Sequence, residues 1–279
     1  MSAAPFRFLS HALAAAGSGV LSVSAPLFNL AIPKAGYSFL RDIAYGSGPR
    51  ARLDLYIPEG LAAPAPVLLF FHGGSWQNGS KTLYRFFGQA FASVGIIVAV
   101  ADYRLYPQAK YPIFVEDGAA AFRFVHAEIA RHGGDPARLF LSGHSAGAFI
   151  AAMLACNPAF DIEPPWIRGV IGIAGAYDFL PLYDPVLIDI FGGDRVMATQ
   201  PIKYARNPSP PMLLATGSAD RTVGGNSRRM AKRLKEAGNE VELIEYPGVT
   251  HLGILRALAP GFRTRTPLRA DMLRFIARH

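Results

Sequence analysis

The chain has one cysteine, Cys156, in 279 residues. No disulfide can form within it, and a cysteine-based structural zinc site is excluded. Charge is also scarce: charged residues make up 17% against 51% hydrophobic, a balance foreign to intrinsic disorder, coiled coils and charged tails. No apolar run of membrane-spanning length passes without interruption, which argues against a transmembrane helix. Acidic residues are the scarcer sign, 20 against 28 Lys and Arg, for a net charge of +8. That excess lies almost wholly between Arg221 and Arg278. No zinc-finger spacing, ribonucleoprotein aromatic motif or helix-turn-helix accompanies it, so a nucleic-acid partner is not expected. We read it as a solvated face, with peripheral contact to an anionic membrane as a secondary possibility.

What remains is enough apolar sequence for one large α/β domain. Residues 1–37 stand apart. Arg7 precedes an Ala/Gly/Ser-rich stretch ending in Val23-Ser24-Ala25, which loosely resembles a secretory signal. Gly17, Ser18, Gly19 and Ser22 interrupt it, and Pro26 would follow the cut. The segment is expected to be an N-terminal helical appendage or a targeting segment, before a catalytic domain over 38–279. A cytoplasmic location is the expectation, with export or membrane association as the alternative.

From residue 38 onward, strand-length apolar runs alternate with segments of helical period, the pattern of βαβ units and a mainly parallel sheet with helices on both faces. Two early antiparallel strands are predicted over Phe39 to Ala44 and Arg52 to Ile57. Buried strands follow at Val67 to Phe71, Ile96 to Ala101, Leu139 to Ser142, Val170 to Ala174, Met212 to Ala215 and Val241 to Glu245. Helices are predicted over Ile113 to Arg131, stopped by Gly133, and over Ser145 to Ala155, Gly224 to Ala237 and Leu268 to His279. The proline-rich segment from Asp178 to Pro211 reads as a small insertion over the sheet.

Gly143-His144-Ser145-Ala146-Gly147 fits G-x-S-x-G between a strand and a helix, where the serine must take a strained conformation and its neighbours must be small. Ser145 is therefore the expected nucleophile, with the Ala146 N–H free to stabilise negative charge at a helix N-terminus. Of seven histidines, His251 alone follows a strand through a loop at the carboxyl end of a parallel sheet, where sites assemble. Asp220, one strand earlier, completes the order Ser, Asp, His; Asp178 is its rival. Phe71-His72-Gly73-Gly74-Ser75-Trp76 ends another strand, and Gly73 and Gly74 offer further N–H groups to an oxyanion. Trp76 is expected to line the substrate pocket.

Together these residues resemble the α/β-hydrolase superfamily, and within it the carboxylesterases. Asp102-Tyr103-Arg104-Leu105-Tyr106-Pro107 and Gly175-Ala176-Tyr177-Asp178-Phe179 also resemble the hormone-sensitive-lipase-like and feruloyl-esterase-like members. The resemblance implies an α/β-hydrolase fold and a serine esterase that cleaves small or medium carboxylic esters through an acyl-enzyme on Ser145, with no metal and no organic cofactor. Ser75 stands where lipase-type relatives carry a third glycine, which weakens the case for a large lipid substrate. Kynurenine formamidases share the same triad, so an arylformamidase is the alternative. A non-catalytic binding protein on the same fold is a further one.

Overall fold

The computed structural model describes residue 29, residues 31–263 and residues 266–279. The expectation for residues 1–37 therefore falls mostly outside the described part. The remainder folds around one eight-stranded sheet in the order β1-β2-β4-β3-β5-β6-β7-β8. Strands β1 (Tyr37–Ala44) and β2 (Arg52–Pro58) are antiparallel to each other, and β2 is antiparallel to β4 (Ile97–Ala101). From there the ladder is parallel through β3 (Ala65–Phe71), β5 (Gly134–His144), β6 (Gly169–Ile173), β7 (Met212–Gly217) and β8 (Val241–Tyr246). All eight predicted strands are present.

The continuous apolar runs of β3, β4 and β6 are buried on both faces because helices cover both. On one face Phe70 meets Phe87 of α1 (Arg85–Ala92), and Phe140 meets Phe275 of α8 (Leu268–Arg278). On the other, Phe71 lies beside Gly118 of α2 (Ile113–Glu128), where an added Cβ would press into Ile150 of α3 (Ala146–Cys156). Helix α2 gives way to a short 3-10 turn, and Gly133 at φ 80° stops it as expected. Cys156, at the end of α3, is buried, and burial pushes its thiol up to about 12, so it packs rather than reacts.

Within residues 178–211 lie two short helices, α4 (Pro185–Phe191) and α5 (Pro201–Tyr204). Asp184 caps α4 by accepting from the Val186 and Leu187 N–H groups. Helix α6 (Asn226–Glu236) packs beside β8, and α7 (Gly253–Arg256) follows the β8 loop. Among the described residues no helix is long and apolar enough to cross a membrane.

Two features go beyond what the sequence predicts. Helix α1 carries no clear signal because Gly88 sits at its centre; the glycine is required there, since a Cβ would strike the ring of Tyr56. Strand β2 alternates polar and apolar residues, yet Asp54 and Tyr56 are as buried as Leu53 and Leu55. The polar face is covered by α1 and by Lys81, whose Nζ lies 2.6 Å from both Asp54 Oδ1 and Asp42 Oδ1.

Candidate active site

The strand ends converge on one rim. Strand β5 leads into Ser145 and α3, β3 into the loop from His72 to Gly79, β7 into Asp220 and β8 into His251. Ser145 holds φ 55° and ψ −116°, a conformation that costs a non-glycine residue about 1–3 kcal/mol and persists only when its surroundings enforce it. They do: its N–H donates to the Ile173 carbonyl and its carbonyl accepts from the Phe149 N–H. A Cβ on Gly143 would collide with the Gly147 backbone, and one on Gly147 with the Phe71 carbonyl. The elbow expected from the sequence is thus present, and the Ala146 N–H opens the helix that follows it.

Asp220 and His251 are joined directly, with Nδ1 2.8 Å from Oδ2. The other carboxylate oxygen accepts from the Thr222 and Val223 N–H groups at 2.8 and 3.1 Å. Burial works to raise the acid's pKa, but the His251 hydrogen bond and charge, with these two N–H groups, hold it below the usual carboxylate range. Their two loops are stitched together. Ala219 donates to the Val249 carbonyl, Gly248 to the Ser218 hydroxyl, and a Cβ on Gly217 would strike Val249. The rival Asp178 is engaged elsewhere, in an ion pair with Arg229, while Asn226 Oδ1 accepts its N–H.

Ser145 Oγ makes no hydrogen bond among the described residues, and the bond to a catalytic base often tightens only around a substrate. What ties the elbow to the histidine loop is His144. Its Nε2 lies 3.1 Å from the His251 carbonyl oxygen, and the two rings are 4.7 Å apart, centroid to centroid.

The oxyanion loop departs from expectation in one respect. Gly73 gives its N–H to the Tyr84 hydroxyl at 3.1 Å, so it is not a free donor. Gly74 and Ser75 have N–H groups without a partner among the described residues. Gly74, at φ 131°, cannot carry a side chain because a Cβ would meet the Asn78 carbonyl. A Cβ on Gly73 would stand 3.3 Å from Ser145 Cβ, which sets this loop directly against the serine.

A buried polar cluster, not foreseen from the sequence, holds the loop in place. The His72 ring is fully buried and its Nδ1–H donates to the Gly73 carbonyl at 2.8 Å, leaving Nε2 to accept from Arg50 Nη2 at 3.2 Å. Arg50 also donates to the carbonyls of Tyr103, at 2.6 Å, and Gly79, at 3.0 Å. Tyr103 stacks on His72 and donates its hydroxyl to the His72 carbonyl. Asp102 faces Arg50 and His72 and accepts from the Lys81 N–H at 2.7 Å. Burial opposes its ionisation, yet the Arg50 charge and that N–H keep its carboxyl low. Tyr84 and Arg50 sit in no local motif; only the fold brings them here.

Trp76 is 1% exposed and boxed by Phe114, Phe149, Phe179 and Phe191. Its indole backs the aromatic wall behind the site instead of forming its open surface.

The BD-FAE family model matches residues 53–183. A probable isoprenylcysteine alpha-carbonyl methylesterase of Arabidopsis thaliana is 33% identical over 239 residues, covering 76% of this chain and 50% of that protein. The chain therefore spans about half the length of such curated relatives. A kynurenine formamidase of Salmo salar is 25% identical, with 84% of this chain and 82% of that protein covered. Among solved structures, an esterase from Thermogutta terrifontis superposes with a TM-score of 0.69 at 28% identity, over 86% of this chain and 92% of its own. Fold, elbow and relatives agree: the chain has the α/β-hydrolase fold, and residues 53–183 match the BD-FAE family model.

Proposed function

We propose that the protein is a serine hydrolase of small or medium carboxylic esters, with Ser145 as nucleophile, His251 as base and Asp220 as its orienting acid. The observation that carries this is the 2.8 Å contact between Asp220 and His251 beside a strained serine elbow. Asp220 accepts the Nδ1–H, which leaves Nε2 of the neutral ring as the acceptor that a base requires. His251 takes the Ser145 proton, Ser145 Oγ attacks the ester carbonyl, and the charged oxygen is met by the N–H groups of Gly74, Ser75 and Ala146. His251 returns the proton to the leaving alcohol, and water then releases the acid by the same steps. Loss of one such donor costs about 10²-fold or more in rate. Trp76 and the phenylalanines around it support the wall against which the acyl group packs.

A formamide substrate is the second reading, favoured by the kynurenine formamidase that matches this chain over most of both lengths. We assign residues 38–279 to the catalytic domain, residues 1–37 to an appendage or targeting segment, and the protein to the cytoplasm, with no nucleic-acid partner. Purified protein is tested on nitrophenyl esters of several chain lengths and on N-formylkynurenine, beside Ser145→Ala. Ester turnover abolished in the variant is the expected result. Preferred cleavage of the formamide selects the second reading; activity equal to wild type in Ser145→Ala, or no turnover of either substrate, sinks both.

A further inference from the structure

His144 occupies the variable position of the elbow, where the chemistry of Ser145 places no demand on the side chain. Here it is nonetheless 3% exposed and makes a specific set of contacts. Its Nε2 faces the carbonyl oxygen of His251 at 3.1 Å. A carbonyl only accepts, so that nitrogen bears the proton and the ring is the neutral Nε2–H tautomer. Nδ1 is then an acceptor, buried and without a hydrogen-bond partner among the described residues. It abuts Gly73, where an added Cβ would stand only 2.7 Å away. One imidazole thus touches the oxyanion loop with one edge and the backbone of the histidine loop with the other, next in sequence to the serine.

We propose that His144 is a positioning residue that sets the His251 loop and the oxyanion loop at fixed distances from Ser145, as a neutral hydrogen-bond donor wedged between them. This rests on the triad assignment above. The titratable groups that face it are His251, whose ring lies 4.7 Å away, and Asp220 behind it. Burial, with the repulsion of a charged His251 added, pushes the ring down to about 3, so it stays uncharged while its neighbour gains and loses a proton in each cycle. A charged ring in its place would oppose the imidazolium that forms on His251. A ring without the donor would release the His251 carbonyl while still filling the space.

Three variants separate these effects. His144→Phe keeps the bulk and removes the donor, His144→Gln restores an N–H close to the position of Nε2, and His144→Glu places a carboxylate beside His251. We expect kcat to fall about tenfold or more in the Phe variant, the effect of one hydrogen bond, with KM within about twofold. The Gln variant should recover to within about threefold of wild type. The acid limb of the kcat/KM profile should move to higher pH in the Glu variant alone, since a nearby anion favours the imidazolium. In wild type, ring-nitrogen NMR should show one histidine that remains a neutral Nε2–H tautomer down to about pH 4.5, well below the ordinary histidine range. Wild-type kcat in His144→Phe, a Gln variant as impaired as Phe, or titration of every ring near the ordinary histidine value overturns the proposal. The NMR measurement decides even if a variant does not fold. Reaction of wild-type Ser145 with an organophosphonate tests the underlying reading separately: no labelling defeats the triad assignment, whereas labelling with unaffected His144 variants defeats only this one.

Discussion

The N–H of Gly73 donates to the hydroxyl of Tyr84 at 3.1 Å, so a tyrosine from the turn before α1 holds the oxyanion loop from beneath. Tyr84→Phe leaves that buried N–H without an acceptor, at a cost of about 1–3 kcal/mol. Because the neighbouring Gly74 and Ser75 donors are positioned by the same loop, kcat should fall with little change in KM. Urea melts and steady-state kinetics on a nitrophenyl ester check both parts.

Arg50 serves the carbonyls of Tyr103 and Gly79 and the His72 ring from one planar guanidinium. Lysine keeps the charge but cannot reach several acceptors at fixed angles. Arg50→Lys is expected to lower kcat about tenfold while labelling of Ser145 by an organophosphonate slows in parallel. An unchanged kcat in a folded variant would show that the loop holds its shape unaided.

Asp220→Asn should lower kcat by about 10³- to 10⁴-fold, because the amide can donate to Nδ1 and favours the wrong tautomer of His251. Asp178→Asn, which disturbs only the Arg229 contact, should stay within a few-fold of wild type. The pair of measurements decides between the two carboxylates.

Most of the candidate site was legible because the motifs that propose it are local. Ser145 announces itself through Gly143 and Gly147, and Asp220 and His251 each follow a strand by a short loop, so sequence position translates directly into place on the rim. Tyr84, Arg50 and His144 were silent for the opposite reason. Their partners lie 11, 22 and 107 residues away, and no local spacing encodes such contacts. Gly73 misled because a glycine permits a close approach without saying which way its N–H points. The burial of the polar face of β2 was equally silent, because its covering, α1 with Lys81, is set by topology.

Lys81→Met removes the counterion of Asp54, which is 2% exposed. Stranding a buried carboxylate costs about 3–5 kcal/mol. The double variant Lys81→Met with Asp54→Asn should recover most of the loss, since the amide is neutral and still accepts from the Asp42 N–H. Urea midpoints of the wild type, single and double variants give the comparison.

Asp102 and Asp220 both hold their carboxyls below the ordinary value in the folded state. A depressed carboxyl contributes stability that is present above its unfolded pKa, about 4, and is lost as the pH falls through the folded value. Unfolding free energy from urea melts should therefore change little above about pH 5 from these groups and decline below about pH 4. Asp102→Asn should be less stable at neutral pH yet lose less on acidification.

The ion pair of Lys81 has a second consequence, at the margin of the sheet. Strand β1 is the outermost, and its pairing with β2 slips between Leu40 and Ile43, where Asp42 takes φ 56°. By fastening Asp42 to Lys81, the protein keeps that irregularity in place. An interrupted ladder with a charged residue at the break is a poor template for a strand from another molecule. The same lysine that neutralises an acid within the core thus helps to keep neighbouring copies from joining edge to edge.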